Sequence, residues 1–370
     1  MRVQRVLGPL LTIALVLGVA LAAFVSFQHQ SAMRSLGAVT TVSGLVGSEK
    51  RDFLNDPRVA AILRRNGIEL SIETAGSRAM TERTDLKNYD FVFPAGVPAA
   101  KKLVSIAHAT TTFSPFYTPM AVASWKPIAE ILTASGIVKR VGADYYIVDM
   151  KRLIALMDAR ERWNQLPHSG AYDVGKSVLI SSTDVTSSNS AAMYLALASY
   201  LQNGNAVVQD DAQARRVAPT VAGLFLRQGY QESSSSGPFD DYTTIGMGKS
   251  PLVMVYEAQF LEYAIAHKDT RDSNMVLLYP KPTVFTKHEF VPLDAKGQKL
   301  GALLQNDPDL QHLANEHGLR TADPTYARAF WRKAGVHVPD TVIDVVDPPS
   351  YDVLETMIRG IASRAAAATP

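Results

Sequence analysis

From residue 39 onward, short apolar runs of strand type alternate with stretches of helical period. The segment 39–46 (VTTVSGLV) predicts a strand, 52–66 a helix stopped by Gly67, 68–74 a second strand by its alternation, and 90–93 (DFVF) a third strand followed by a helix from about residue 99. Each strand ends in a small polar loop: Gly47-Ser48-Glu49-Lys50, Ala75-Gly76-Ser77-Arg78 and Pro94-Ala95-Gly96-Val97-Pro98. Strands separated by helices predict a mainly parallel sheet, and such sheets bind ligands beyond the carboxyl ends of their strands. Ser48, Ser77 and Ala95-Gly96 then share one rim.

The same junction recurs in fuller form in the middle of the chain. Residues 177–180 (SVLI) have strand character, and 191–201 (AAMYLALASYL) are apolar nearly all round, as a buried helix would be. Between them, every residue of 181–190 except Val185 is Ser, Thr, Asp or Asn. Such side chains bond backbone amides, so Ser188, Asn189 or Ser190 is a natural N-cap. A strand, a hydroxyl-rich loop (Ser187, Ser188, Asn189, Ser190) and a helix N-terminus form a cradle suited to a carboxylate, phosphate or other oxyanion. Ordinary turn chemistry accounts for any one of these loops alone; their repetition points to a ligand. Gly47 and Gly76 stand where a backbone turns sharply or approaches something closely. Arg78 is a cationic donor whose planar fork suits an oxyanion, or else a salt-bridge partner with no ligand. Glu49 pairs with Lys50 or Arg78, or binds an amine.

The remaining pattern divides the chain. Residues 110–125 (TTTFSPFYTPMAVASW) and 251–257 (PLVMVYE) read as strands crossing between lobes, the first because Pro115 and Pro119 exclude a regular central strand. Helices are expected at 128–136, 149–166 (with Trp163 in its lobe's core), 213–228, 299–304, 308–317, 324–335 and 350–364, and strands at 274–280 and 285–292. The run 232–238 (ESSSSGP) reads as a flexible loop, too polar for a core. The run 245–250 (IGMGKS) lacks the leading glycine of a phosphate loop, Thr243 standing there, and reads as a turn.

Composition adds limits. The chain has 370 residues, 47% of them hydrophobic, a net charge of +2 and no cysteine. The interspersed charge argues against a nucleic-acid partner, and the missing thiols rule out disulfides, thiolate metal sites and an N-terminal lipid-bearing cysteine. Arg2 and Arg5 precede the uncharged run 6–27, long enough to span a bilayer. Residues 1–30 are therefore expected to be a signal anchor with the rest of the chain extracellular or periplasmic, and 31–37 a linker. Cleavage after Ala20-Leu21-Ala22, giving a secreted protein, is the alternative.

The return passage carries a resemblance. The order of strand, inserted lobe and returning Tyr256-Glu257 segment, the return strand carrying Lys281-Pro282-Thr283-Val284 with His288-Glu289-Phe290-Val291, and the closing run from Leu303-Leu304-Gln305 to Gly318-Leu319-Arg320 resemble the bacterial extracellular solute-binding proteins with two crossing strands. The resemblance implies an α/β, two-lobed periplasmic-binding-protein-like fold (type II), each lobe a mixed, mainly parallel sheet flanked by helices, here preceded by a transmembrane helix. Lobe I would comprise 38–115 and 252–370, and lobe II 116–251. Residues from Val336 onward exceed the usual pattern and form a candidate docking face.

The implied function is capture of a small anionic or zwitterionic ligand, an oxyanion, organic acid or amino acid, in an interlobe cleft, for an ABC-type importer. The alternative is a membrane-anchored sensor or interaction protein on the same scaffold, with an envelope protein as partner. The expected ligand-binding residues are Ser48, Glu49, Gly76, Ser77, Arg78, Ser187, Ser188, Asn189, Ser190, Tyr256 and Glu257. No cofactor or metal is expected, since His312 and His317 lack the i, i+4 spacing of two ligands on one helical turn. Catalysis is not expected either: there is no G-x-S-x-G elbow, and Asp184 has no nucleophile partner at a readable distance.

Overall fold

The computed structural model describes residues 39–141, 145–342 and 344–368. The expected anchor and linker, 1–30 and 31–37, lie outside the described residues; among those described, no helix is long and apolar enough to cross a membrane.

Lobe I is built on β1 (Thr40–Val46), which pairs in parallel with β2 (Ile68–Thr74) on one side and β3 (Phe91–Phe93) on the other. Side chains of a strand alternate between faces, and the sheet is covered on both. Val42 and Val46 join Phe53, Val59, Leu300 and Leu310 in one core, while Leu45 joins Met80 and Leu103 in another. The helix expected over 52–66 is two, Arg51–Asn55 and Pro57–Arg65. Pro57 supplies no amide to continue the first helix, and Asp56 caps the second by accepting from the Arg58 amide at 2.7 Å.

The strand β4 (Phe113–Trp125) is the principal crossing. Its first half pairs antiparallel with β9 (Thr283–Pro292), and its second half with β7 (Leu252–Tyr256) and β8 (Met275–Lys281). Pro115 falls in the register shift between Phe113 and Phe116, where the ladder is interrupted. β8, expected in lobe I as part of 252–370, instead pairs in parallel with β6 (Tyr145–Asp149) of lobe II, whose antiparallel partner β5 (Val138–Val141) forms the sheet edge. The helix Asn189–Gln202 runs through the middle of the largest core, and Trp163 is buried there as expected.

Three further expectations need correction. Residues 177–180 form no ladder: they are flanked by single-residue bridges, Arg162 to Ser177 and Ser181 to Val253, because the segment meets its neighbours only at its ends. The final helix, Tyr351–Ala368, expected in lobe I and on a docking face, is found elsewhere. Its Val353, Leu354, Met357, Ile358 and Ile361 instead join the larger core with residues of the helix Asp211–Leu226. Apolar side chains at this spacing form one face, and lobe II covers it.

The third is Glu257. It begins the helix Glu257–Ala266 and is fully buried away from any ligand space, where Arg320 donates to it at 2.5 and 2.8 Å and the Tyr279 hydroxyl at 2.5 Å. Such a carboxylate is structural, because the guanidinium it neutralises is also buried. Glu257→Ala is expected to cost about 3–5 kcal/mol of stability, read from the denaturant midpoint, and an unchanged midpoint would contradict this role.

Candidate functional site

Segments from both lobes meet around one cavity of about 290 Å³. Lobe I contributes Gly47-Ser48-Glu49 after β1, Thr74-Ala75-Gly76-Ser77 and Ala79 at the end of β2, and Ala95 after β3, while lobe II contributes Ser187-Ser188-Asn189 and Ser233-Ser234-Ser235, and Tyr256 lines it at the end of β7. The cavity thus lies beyond the carboxyl ends of the strands, as the pattern predicted.

Four helical N-termini converge here. Gly47 precedes the 3-10 turn Ser48–Lys50, Gly76 the helix Ser77–Glu82, Ser188 the helix Asn189–Gln202 and Ser235 the helix Ser236–Thr244. All four capping residues line the cavity, and none makes a side-chain cap hydrogen bond. The first amides of a helix have no partner inside it, and they carry the positive end of its dipole. Hydroxyls complete the wall. The Ser48 and Ser234 hydroxyls share a hydrogen bond of 3.1 Å across the lobes, Asn189 Nδ2 donates to the Tyr256 hydroxyl at 3.0 Å, and Ser77 Oγ accepts from the Ala95 amide at 2.8 Å.

One charged side chain lines the cavity, the Glu49 carboxylate. Burial alone would push its carboxyl up, but the Lys50 ammonium beside it and a hydrogen bond with His288 more than offset this and hold it at about 2. Lys50, fully buried, is ion-paired to Glu49 and lies 3.2 Å from His288 Nδ1. Burial, reinforced by the Lys50 charge, lowers His288 to about 4, so its ring is neutral at physiological pH. The wall therefore presents an ionised acceptor whose counter-charge sits behind it.

Of the expected residues, Ser48, Glu49, Gly76, Ser77, Ser187, Ser188, Asn189 and Tyr256 share this cavity. Ser190 sits behind the wall, its hydroxyl held by Ser188 at 3.0 Å and Thr183 at 2.8 Å. Arg78 is off the cavity as well. Glu355 takes its Nε and Nη2 at 2.5 and 2.7 Å, and its Nη1 donates to the Thr186 carbonyl, so the guanidinium is spent on protein partners, the salt-bridge alternative of the sequence reading. Ser233, Ser234 and Ser235 were not expected. Their signal was the one used elsewhere, a hydroxyl run before a helix N-terminus.

The two lobes touch where side chains are missing. A Cβ on Gly76 would lie 2.6 Å from the Ser187 carbonyl oxygen, and one on Gly96 would lie 2.5 Å from Asn189 Oδ1. Neither glycine has a positive φ, so the need is for space, not for backbone freedom.

No family model matches the chain, and no curated protein matches it. Solved structures do. The sulfate-binding protein SubI from Mycobacterium tuberculosis H37Rv superposes with a TM-score of 0.51 at 14% identity, covering 85% of this chain and 96% of that one. The periplasmic binding protein P5PA gives 0.51 at 12% identity, covering 88% and 98%. The fold is that of the periplasmic solute-binding proteins. The apo ferric ion-binding protein A of Pasteurella haemolytica shares it too, with a TM-score of 0.50 at 11% identity, covering 88% and 96%. At such identities the likeness concerns the fold, and the chemistry of the cavity rests on its own residues.

Because Ala is compatible with the backbone at Gly76, Gly76→Ala is expected to leave the unliganded protein folded while forcing the lobes apart. Its thermal midpoint should stay near that of the parent, with small-angle scattering showing a larger radius of gyration. An unchanged radius would mean that the contact does not limit closure.

Proposed function

We propose that the protein is a solute-binding protein of the cell envelope, tethered through residues 1–30, that captures a small anionic or zwitterionic ligand between its lobes for an ABC-type importer. The observation that carries this reading is the convergence of four helical N-termini on one interlobe cavity. Those amides and the serine hydroxyls replace the water of an oxyanion. No lysine or arginine side chain lines the cavity among the described residues, so the anion is held by dipoles and neutral donors.

Glu49 narrows the class further. An ionised, nearly water-free carboxylate in the wall repels a fully deprotonated anion unless the ligand offers it an N–H or O–H. The ligand that fits both features carries an oxyanion at one end and a donor at the other: an amino acid, a hydroxy acid or a protonated oxyanion. A volume of about 290 Å³ suits a molecule of that size. The alternative docking role for the C-terminal extension loses support, since the apolar face of the final helix is packed on lobe II.

Calorimetry and thermal-shift titration over sulfate, inorganic phosphate, carboxylic acids, hydroxy acids and amino acids test this. At least one donor-bearing anion is expected to stabilise the protein. The double variant Glu49→Gln with Lys50→Met, which keeps the buried pair neutral, is expected to weaken that compound by about 10- to 100-fold, the worth of a hydrogen bond to a charged group. A panel in which nothing stabilises the protein would overturn the reading. Binding by a donor-bearing anion that the double variant leaves intact would overturn the role of Glu49.

A further inference from the structure

The helix Tyr351–Ala368 belongs to lobe II along most of its length but is tied to lobe I at its start. On the lobe II side, the Thr356 hydroxyl donates to Asp211 at 2.8 Å, and a Cβ on Gly360 would lie 3.1 Å from that of Ala218, so the two helices pack closely. The first turns point the other way. The Tyr351 hydroxyl lies 2.6 Å from Thr81 Oγ1, Asp352 lies 3.8 Å from Lys102, and Glu355 receives the two-pronged hydrogen bond from Arg78. Thr81 and Arg78 stand on the lobe I helix Ser77–Glu82 and Lys102 on the lobe I helix Val97–Ala107. The C-terminal helix is therefore a strap from lobe to lobe, separate from the crossing strands.

The strap also reaches the cavity wall. Arg78, held by Glu355, donates through Nη1 to the carbonyl of Thr186, the residue before Ser187. Ser77, next to Arg78, lines the same cavity from the opposite lobe. One guanidinium thus joins three bodies: the lobe I helix that carries it, the lobe II segment 186–188, and the strap. The Glu355 side chain is 10% exposed and that of Arg78 23%, and a paired, forked hydrogen bond with little access to water fixes orientation as well as distance.

We propose that Glu355 is a positioning residue of the interlobe site: through Arg78 it holds the 186–188 segment against lobe I, and so favours the closed arrangement of the lobes. That this cleft is a ligand site rests on the function proposed above; the closure itself does not. Without Glu355, the remaining carboxylate partner of Arg78 is Glu82, at 3.4 Å and 62% exposed, too wet to fix the fork.

The test needs no ligand. The chain has no cysteine, so Asn88→Cys on lobe I and Asp240→Cys on lobe II accept spin labels uniquely, and pulsed electron resonance reads the interlobe distance in the full-length protein. The parent is expected to show one short, narrow distance. Glu355→Gln is expected to add a longer population and to raise hydrogen exchange at the amides of 187–189 by at least about tenfold, while exchange along 357–366 stays unchanged. Glu355→Asp is expected to restore the short distance in part, which a merely structural loss would not do. Should Glu355→Gln fail to fold, Thr81→Ala with Tyr351→Phe loosens the same end of the strap and is read in the same way. A distance distribution and exchange pattern identical to the parent's would overturn the proposal, as would a parent already open. Failure of every compound in the ligand panel would bear on the proposed function and leave this measurement standing.

Discussion

The approach of the two lobes at Gly76 is the constraint on which the site depends. With no side chain there, the Ser187 carbonyl comes to within a distance that a single methyl group would occupy. That contact brings the segment after β2 and the segment before the helix Asn189–Gln202 to one wall, and the Ser48 to Ser234 hydrogen bond marks the same closure on the other side. Each helical N-terminus alone is an ordinary helix end. Four of them bordering one space of about 290 Å³ are what the proposed binding of an oxygen-rich anion rests on.

Electrostatics divides labour between wall and core. The buried trio Glu49, Lys50 and His288 is neutral as a group, because burial keeps the His288 ring uncharged and Lys50 balances the carboxylate. A site so arranged carries one directed acceptor without adding net charge to the cleft. The cation that the sequence offered as a ligand contact, Arg78, is used in the strap, while Lys50 lies behind the wall and Arg320 against Glu257. On the proposed function, an anion held by amides and hydroxyls would exchange water for dipoles already in place, and the lobes, not mobile cationic side chains, would decide when it leaves.

Much of this was legible in the residues. Loops rich in small residues and hydroxyls located four of the five rim segments, all but 233–235, because such residues serve close approach and amide bonding wherever they stand. What was not legible depended on partners distant in the chain. Nothing local marks Arg78 as paired with Glu355, or Glu257 with Arg320; each pair is joined only by the fold. The serines 233–235 looked like solvent-exposed loop because polarity was read without knowing that a second lobe would close over them. The final helix was misplaced for a related reason: its period showed that it had a face to bury, but not on which lobe. The hairpin of β5 and β6 carried an ordinary signal, the aromatic and β-branched run Tyr145-Tyr146-Ile147-Val148, hidden by the amphipathic stretch that follows it.

The central claim is that one small molecule touches both lobes at once. The most direct measurement is a crystal structure of the protein grown with a donor-bearing anion such as glutamate or inorganic phosphate. The account predicts density in the interlobe cavity within hydrogen-bond distance of Ser48 or Ser77 on one side and of Ser188 or Ser234 on the other. Density confined to one lobe, or bound elsewhere while the cavity holds only water, would contradict it.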